Sequence, residues 1–293
     1  MNGLILIDKP SGCTSHDVVN RWRKIAATKR AGHLGTLDPM ATGLLVLVTG
    51  TATRLAQFYG KSDKTYDAEI TLGCSSDTYD AEGEIVTSDA PIPPPEAILA
   101  ALDEFRGKIL QTPPPVSAKK VGGVPAYKLA RQHIAVALPP VEVEIRELDV
   151  QCLSANKITI TVTCTAGTYI RSIAHDLGQR LGCGGLLSCL RRTRSGEYSV
   201  DQAHTLDQLA ALAAEQRLAG EALIPIAHML PEMPAEYFDS VIETYIRQGR
   251  DFRTSPFVIP PGAPLVKALS RSGDLIAIGE LKIPNLYHPG TVF

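Results

Sequence analysis

The feature of this sequence that most limits its fold is the segment 157–182, KITITVTCTAGTYIRSIAHDLGQRLG. The spacing of its apolar residues changes from every second position to every third or fourth position. In its first half apolar residues alternate with threonines, as they do in a half-buried strand. In its second half apolar residues recur three and four positions apart between Ile170 and Leu177, which is the spacing of an amphipathic helix. We expect Gly167 to end the strand and Thr168 to cap the helix.

Shorter patterns of the same two kinds occur along the rest of the chain. The predicted strands include 3–7, 44–48 and 65–73, and the predicted helices are one capped by Ser15 over 16–27 and one that ends near Phe105. Because strands and helices are interspersed without regular βαβ alternation, we predict an α+β fold with a mixed, mainly antiparallel sheet. The pattern changes after about residue 231, which predicts one domain over 1–231 and a small β-rich domain over 232–293.

The composition excludes several classes of protein. A chain of 293 residues with 44% hydrophobic and 20% charged residues is typical of a soluble globular protein with a large core. It has no run of about 18 apolar residues, and its N-terminus does not resemble a signal peptide, so we expect no membrane span and a cytoplasmic location. The six cysteines include no CxxC pair and no zinc-type cluster with histidine, so no metal site is expected.

The net charge of −2 conceals a strong segregation of charge along the chain. Residues 1–64 carry nine Lys or Arg and four acids, and residues 65–105 carry ten acids and no Lys or Arg. Residues 106–141 again carry six Lys or Arg and no acid. Such blocks can form a basic surface that suits nucleic acid, or they can be solvated faces with no partner.

The stretch AGHLGTLDPMATG places Asp38 in a turn rich in glycine and followed directly by proline. Pro39 disfavours a helix through this turn, and Gly32 and Gly35 would let a ligand approach the backbone closely. His33 could pack against a base or donate a hydrogen bond to a phosphate. Asp38 is therefore a candidate carboxylate nucleophile, although such an aspartate can also form the turn, cap a helix or pair with a cation.

Two other segments have unusual composition for their place in the chain. Arg171 falls in the first turn of the helix predicted after Gly167, where a cation opposes the helix dipole. Its position indicates a specific anionic partner. The segment QTPPPVSAKKVGGVPAYKLAR combines prolines, glycines and four basic residues, so it is predicted to be a long, exposed loop.

Several blocks of the sequence resemble the signatures of one enzyme family, and they occur along the chain in the same order as in that family. GHLGTLDPMATGLLVL resembles the GH-x-G-x-LDP-x-A-(S/T)-G-x-L signature of the tRNA pseudouridine-55 synthases, the TruB family, which convert a uridine in the TΨC arm of tRNA to pseudouridine. DKPSGCTSHDVV, KTYDAEITLGCSSDTYDAEG, PPVSAKKVGGVPAYKLAR, GTYIRSIAHDLG and LRRTRSG resemble further blocks of the same family. The resemblance covers most of residues 3–210 and implies the family's α+β catalytic domain.

The resemblance implies roles for three residues in catalysis. Asp38 would be the nucleophile, attacking C6 of the uracil or C1′ of the ribose or assisting a glycal route. Arg171 would pair with it and keep it ionised and oriented. Tyr66 would stack on the flipped base and take part in proton transfer, although its place on the apolar face of a strand would also fit a core tyrosine.

The resemblance also implies a set of residues that bind substrate. They are His33, Tyr169 and Leu190 at the target nucleotide, Lys9 in the first block, and Lys119 and Lys120 in an RNA-binding loop over 113–138. Leu190 could equally be a core residue. Lys119 stands where the family has leucine, which puts only the details of RNA contact in doubt.

The family's reaction needs no cofactor and no metal, because it rearranges one nucleotide without redox change. The expected partner is the TΨC stem-loop of tRNA, with no DNA and no membrane, and the expected state is a monomer. The C-terminal region loosely resembles a PUA-like RNA-binding domain. Two alternatives stay open: a catalytically silent tRNA chaperone, and a relative that works with a guide RNA.

Overall fold

The computed structural model describes residues 1–117, 119–126, 129, 132 and 138–293. The side chains of 120, 121 and 125 are also outside this description. The predicted RNA-binding loop over 113–138 therefore lies partly outside the described residues, and so does the side chain of Lys120.

The main sheet contains ten strands from the first 225 residues. They are β1 (Gly3–Lys9), β2 (Ala31–His33), β3 (Thr42–Thr49), β4 (Lys64–Leu72), β7 (Gly107–Gln111), β10 (Val141–Ser154), β11 (Lys157–Cys164), β12 (Gly185–Ser195), β13 (Tyr198–Ser199) and β14 (Ile224–Pro225). Two small hairpins lie outside it, β5 (Cys74–Ser76) with β6 (Ile85–Thr87), and β8 (Lys120–Val121) with β9 (Val124–Pro125). The order β14-β1-β3-β12-β4-β11-β10-β7, with β2 on β3 and β13 on β12, is antiparallel except where β12 pairs with β3.

The helices of this part of the chain are short. Among the described residues they include α1 (Ser15–Ile25), α2 (Pro95–Asp103), α3 (Ile170–Leu181), α4 (Leu206–Ala214) and α5 (Leu218–Glu221), with 3-10 segments over Gly50–Tyr59, Val200–Gln202 and Ile226–His228. Helices α1 and α3 bury their apolar faces in one core cluster with the central strands. This architecture confirms the predicted α+β fold with a mixed, mainly antiparallel sheet.

The central strands follow the alternation seen in the sequence. Along β4, Tyr66, Ala68 and Ile70 are buried, while the residues between them are more exposed. Strand β12 inserts between β3 and β4, so that Arg192 is paired with Gly43 on one side and with Tyr66 on the other. A Cβ on Gly43 would lie 2.3 Å from the carbonyl oxygen of Arg192, so this close pairing requires glycine.

The N-terminus of α1 differs from the prediction that Ser15 caps it. Thr14 is the N-cap, because its hydroxyl accepts a hydrogen bond from the amide of Asp17 while the Asp17 carboxylate accepts one from Thr14. This reciprocal arrangement is a capping box. Ser15 is the first helical residue, and its buried hydroxyl bonds to the distant Leu37 instead.

Helix α3 also begins differently from the prediction. Thr168 does not cap it; its hydroxyl donates to the carbonyl of Thr165. The N-cap is Tyr169, whose amide donates to the side chain of Gln111 at 2.8 Å. A Cβ on Gly178 would lie 1.9 Å from the amide nitrogen of Gly185, so a glycine is needed for α3 to pack this closely on the start of β12.

A second, five-stranded sheet follows in the order β15-β17-β18-β19-β16. Its strands are β15 (Ala235–Phe238), β16 (Phe252–Arg253), β17 (Leu265–Ser270), β18 (Leu275–Ile283) and β19 (Leu286–Val292), and helix α6 (Ser240–Arg247) packs beside it. The β-rich character of the C-terminal region is thus confirmed. The boundary at 231/232 and a PUA-like RNA-binding role stay predictions.

Within the residues described above, no helix is both long enough and apolar enough to cross a membrane.

Candidate active site

Asp38 lies in the loop between the short strand β2 and strand β3, and its neighbours are held from two sides. The amide of Leu37 donates to the Ser15 hydroxyl at 2.8 Å, and that hydroxyl donates to the Leu37 carbonyl at 3.0 Å. On the other side, the carbonyl of Pro39 accepts a hydrogen bond from the amide of Gly12 at 2.9 Å. The backbone on both sides of Asp38 is therefore fixed by the first helix and the turn before it.

Lys9 contributes to the same support. Its ammonium group is fully buried and donates to the carbonyls of Pro10, Pro39 and Ala41 at 3.0, 3.1 and 2.6 Å. Burial lowers the pKa of Lys9 below its ordinary value. All three of its donors are used within the protein, so its position favours support of the Asp38 loop over the predicted contact with substrate.

Arg171 holds the Asp38 carboxylate with two nitrogens. Its Nε lies 2.9 Å from Oδ2, and its Nη2 donates to Oδ1 at 3.1 Å. Only 4% of Arg171 is exposed, whereas the Asp38 side chain is 31% exposed. Such a two-point pair fixes the plane of a carboxylate as well as its position, and leaves one face of the acid open to a ligand.

The guanidinium of Arg171 is itself fixed by three further groups. It donates to the carbonyls of Thr78 and Val116 at 3.0 and 2.9 Å, and its Nη1 lies 3.4 Å from Oδ2 of the buried Asp80. Asp80 in turn accepts hydrogen bonds from the Thr78 hydroxyl at 2.6 Å and the Glu82 amide at 3.0 Å. Arg171 therefore joins the Asp38 loop, the turn after β5 and the loop after β7.

The ionisation of Asp38 reflects opposing influences. Burial raises the pKa of the Asp38 carboxyl above its ordinary value of 3.8, and the nearby Asp80 acts in the same direction. Arg171 and Lys9 oppose this increase because they favour the carboxylate. A carboxyl with a raised pKa is a better nucleophile when ionised, but it needs a higher pH to ionise.

This balance predicts an acid limb in the pH–rate profile. If Asp38 is the nucleophile that the sequence predicts, its protonated form cannot attack, so the single-turnover rate should fall as the pH drops through its raised pKa, with a midpoint above 3.8. Single-turnover assays between about pH 4 and pH 8 would measure it, with unfolding followed at each pH. A rate that stays constant down to about pH 4 in folded protein would contradict it.

A cavity of about 290 Å³ opens above this ion pair. Its lining residues are Leu34, Gly35, Thr36, Leu37, Asp38, Gly60, Lys64, Tyr66, Ser117, Ala166, Gly167, Thr168, Tyr169, Ile170, Arg171, Leu190 and Arg192. The structure therefore brings together five of the predicted site residues: Asp38, Tyr66, Tyr169, Arg171 and Leu190. Two aromatic rings and a leucine beside a carboxylate suit a flat ring with polar edges.

Tyr66 and Tyr169 are placed by different means. Tyr66 is 8% exposed on β4 and belongs to the core cluster as well as to the cavity wall, and burial raises the pKa of its hydroxyl. Tyr169 is held by the side chain of Gln111, which accepts from its amide and donates to its carbonyl at 3.0 Å. Both rings are thus fixed by neighbouring strands.

Four residues that matter to the site were missed by reasoning from the sequence. Asp80, Lys64 and Arg192 lie in quoted blocks, in SSDTYDAEG, KTY and LRRTRSG, but their residue types alone do not distinguish them from ordinary surface charges. Gln111 has no local signal, because its role depends on a backbone 58 positions away.

Among the side chains that the structure describes, the predicted binding residues Lys9, His33 and Lys119 lie outside the cavity lining. His33 lies on β2, immediately before Leu34, the first residue of the cavity lining. Burial lowers the pKa of its imidazole, and its Nδ1 is buried without a hydrogen-bond partner among the described residues. Lys119 is exposed in the loop after β7, and only the backbone of Lys120 is described. Their contacts with substrate stay predictions. No group of three metal-ligating side chains occurs in the described ranges.

The sequence matches two models of one protein family. Residues 23–170 match the model of the TruB family pseudouridylate synthase N-terminal domain, and residues 171–234 match the model of the tRNA pseudouridylate synthase B C-terminal domain. The chain is 52% identical to tRNA pseudouridine synthase B of Solibacter usitatus over 293 residues, which is 100% of both chains. It is 44% identical over 236 residues to the protein of the same name from Syntrophotalea carbinolica, covering 80% and 76% of the two chains.

Solved structures of similar fold come from RNA–protein particles. One is a chain of an H/ACA RNP bound to a substrate RNA containing 2′-deoxyuridine, with a TM-score of 0.73, 25% identity and coverage of 99% of this chain and 84% of that one. Another is a chain of the archaeal box H/ACA sRNP Nop10–Cbf5 complex, with a TM-score of 0.72, 23% identity and coverage of 99% and 86%.

Proposed function

Because this chain belongs to the TruB family of tRNA pseudouridine synthases, we propose that it converts uridine 55 in the TΨC arm of tRNA to pseudouridine, with Asp38 as the nucleophile. The observation that carries the proposal is the carboxylate of Asp38, held at two points by the buried Arg171 at the base of a cavity lined by Tyr66, Tyr169 and Leu190. The membership itself rests on the two family models and on the relative at 52% identity.

The reaction exchanges one bond of the target nucleotide for another. The N1–C1′ bond breaks, the uracil turns while it is held, a C5–C1′ bond forms, and the proton of C5 is lost as N1 gains one. Nothing is oxidised and no atom is gained overall. Asp38 can begin this sequence by attacking C6 or C1′, or by assisting loss of the ribose 2′ proton in a glycal route.

The cavity wall supports the turning step in particular. A detached uracil must stay close to the ribose while it rotates, which requires a closed wall without a fixed partner on every edge. Tyr66, Tyr169 and Leu190 supply flat or apolar surfaces on which a ring can rotate. The Tyr66 hydroxyl is the candidate group for moving the C5 proton, since Tyr66 lines the cavity with Asp38 and its hydroxyl can exchange a proton.

The depth of Asp38 supports flipping of the target base. The acid is 31% exposed at the bottom of a cavity of about 290 Å³, too small to admit a base that stays stacked in a helix. A base that reacts there has to leave the stack first, at a cost of a few kcal/mol. Basic segments on either side of the cavity would supply the binding energy for that step.

Mapping of pseudouridine in an unmodified tRNA transcript tests the proposal. Wild-type protein is expected to form pseudouridine at position 55 alone, and a transcript with cytidine at that position should gain none. Formation elsewhere in the transcript, or no formation at all, would overturn the assignment of the target.

The alternatives predict different results in the same assay. A silent chaperone would refold tRNA without forming pseudouridine, although it would have no need for a carboxylate, a tyrosine and an arginine assembled in one cavity. A guide-dependent enzyme would act only after a guide RNA is added. The relatives named tRNA pseudouridine synthase B favour a protein that works on tRNA directly.

Salt dependence measures the electrostatic part of tRNA binding. If four to six phosphates are contacted, the slope of log K against log salt is about −3 to −4, using the coefficient for single strands. Replacing Lys119 and Lys120 by alanine should flatten that slope by about one unit and leave the rate at saturating tRNA nearly unchanged.

The matched control removes two lysines that already have carboxylate partners. Lys108 pairs with Glu142 at 3.4 Å and Lys157 with Glu69 at 2.8 Å, so their replacement by alanine should leave the slope as it is in wild type. An affinity independent of salt, or equal slopes in the two double variants, would show that Lys119 and Lys120 do not bind the RNA backbone.

A further inference from the structure

Two buried cations line the cavity away from the Asp38–Arg171 pair. Lys64 is 8% exposed and Arg192 is 2% exposed, and both belong to the cavity wall. Long cationic side chains are rarely buried to this extent unless a partner offsets their charge. The reaction described above assigns no role to Lys64 or Arg192.

Arg192 donates hydrogen bonds to three carbonyl groups. Its Nε donates to Leu44 at 2.8 Å, its Nη1 to Thr36 at 3.3 Å and its Nη2 to Gly35 at 3.1 Å. These bonds fix the guanidinium but carry no negative charge that could neutralise it. Lys64 donates to the carbonyl of Ser62, and among the residues that the structure describes neither cation forms an ion pair with a carboxylate.

The two cations share the space beside Gly35. A Cβ at that position would lie 3.5 Å from Nη1 of Arg192 and 3.8 Å from Cε of Lys64. Burial, with the charge of Arg192 as a further cause, lowers the pKa of Lys64. Gly35, Lys64 and Arg192 all line the cavity, so the two cations lie together at one part of its wall.

The charges around the cavity do not balance. The cations of the cavity wall are Lys64, Arg171 and Arg192, and its acid is Asp38, with the buried Asp80 behind it. Both acids contact Arg171. Lys64 and Arg192 are therefore an excess of positive charge in a site of low polarity, where such an excess favours an anionic ligand.

We propose that Lys64 and Arg192 form an anion subsite that binds a phosphodiester adjoining the target uridine. Lys64 makes the contact, since its amine retains two donors beyond its bond to Ser62. Arg192 supplies a fixed positive charge behind it. The subsite places the ribose of the target nucleotide against Asp38 by holding the backbone beside it. The identity of that nucleotide rests on the function proposed above.

Binding of small ligands tests the subsite without catalysis. Wild-type protein should bind uridine 5′-monophosphate or uridine 3′-monophosphate about tenfold more tightly than uridine, as expected for one charge-assisted contact. Lys64→Gln should reduce that preference to less than about twofold, and Lys64→Arg should restore most of it. Titration calorimetry measures all three ligands. The matched control is Lys61→Gln, which removes an exposed lysine of the same segment and should keep the tenfold preference.

A chemical change in the RNA tests the subsite with the full substrate. Such a change leaves the folding of the protein unaffected. One of the two phosphates flanking the target uridine, replaced by a neutral methylphosphonate, should weaken stem-loop binding to wild type about tenfold. The same replacement should cost Lys64→Gln less than about twofold. Equal losses in both proteins would overturn the proposal, as would monophosphates that bind wild type no better than uridine.

These outcomes are distinct from failure of the proposed function. If wild-type protein forms no pseudouridine at position 55, the proposed target is wrong, while the preference for uridine monophosphates still reports on the subsite. If position 55 is modified but Lys64→Gln discriminates monophosphates as wild type does, the subsite is wrong and the function stands.

Discussion

Asp38→Asn is expected to reduce the single-turnover rate by more than about 10³-fold, because an amide is not a competent nucleophile in a site that depends on one. The amide oxygen can still accept a hydrogen bond from Nη2 of Arg171, which now donates to Oδ1 at 3.1 Å. The shape of the cavity is preserved, so affinity for tRNA should change by less than about threefold. Rapid-mixing turnover assays and filter binding with one tRNA transcript measure the two quantities.

The chain offers a matched control in a second aspartate–arginine pair. Asp8 accepts from Arg191 at 3.0 and 2.8 Å, and its side chain is 31% exposed, as is that of Asp38. This pair is not part of the cavity wall, so Asp8→Asn should alter the rate by less than about threefold. A near-wild-type rate in Asp38→Asn, or equal effects of the two variants, would show that Asp38 is not the nucleophile.

Arg171→Lys is expected to lower the single-turnover rate by about 10²-fold, since lysine keeps the charge but loses the planar group that contacts both oxygens of Asp38. The carboxylate would then be free to rotate. Each of the carbonyls of Thr78 and Val116 now accepts one hydrogen bond from Arg171, and at least one of these two bonds would be lost. This loss should lower the free energy of unfolding by about 1–3 kcal/mol. The protein should stay folded at 25 °C, because this loss is smaller than a typical free energy of unfolding of about 5–15 kcal/mol, while the rate falls about 10²-fold.

Arg191→Lys is the control for this substitution. It makes the same chemical change in the exposed pair with Asp8, where lysine can still reach a carboxylate in water, so rate and stability should both stay close to wild type. Urea unfolding and single-turnover assays on both variants give the comparison. Wild-type turnover in Arg171→Lys would mean that the two-point hold on Asp38 is not needed.

Much of the fold could be predicted from the sequence because its strands are regular. The alternation in TYDAEITLG and KITITVTC appears as the neighbouring strands β4 and β11. Their antiparallel pairing runs from Thr71 opposite Lys157 to Lys64 opposite Cys164. The helix over 170–181 follows the spacing of its apolar residues. In these segments the side chains that face the core are set by a short period of the sequence itself.

The two helix caps were wrong for a common physical reason. Ser15 and Thr168 are residue types that cap helices well, and a local rule selects them. In the folded chain the Ser15 hydroxyl is bonded to Leu37 and the Thr168 hydroxyl to Thr165. The competing partner of Ser15 is distant in sequence, so no local pattern could indicate that the hydroxyl supports the Asp38 loop. For the same reason Lys9 was predicted to bind substrate, although its charge supports that loop.

By itself, the sequence determined the strands and helices, the stiff turn that carries Asp38 and the order of the blocks that identify the family, because each depends on residues close together in the chain. Only the tertiary structure decided which charges meet. Asp38 and Arg171 are 133 positions apart, and Arg192 reaches Gly35 and Tyr66 because β12 inserts between β3 and β4. Pairing across a sheet depends on strand order, and the ionisation of a group depends on everything packed around it. The same residue types therefore became an aspartate paired with arginine at Asp38, a lysine bonded to three carbonyls at Lys9 and two cations without a carboxylate partner among the described residues at Lys64 and Arg192.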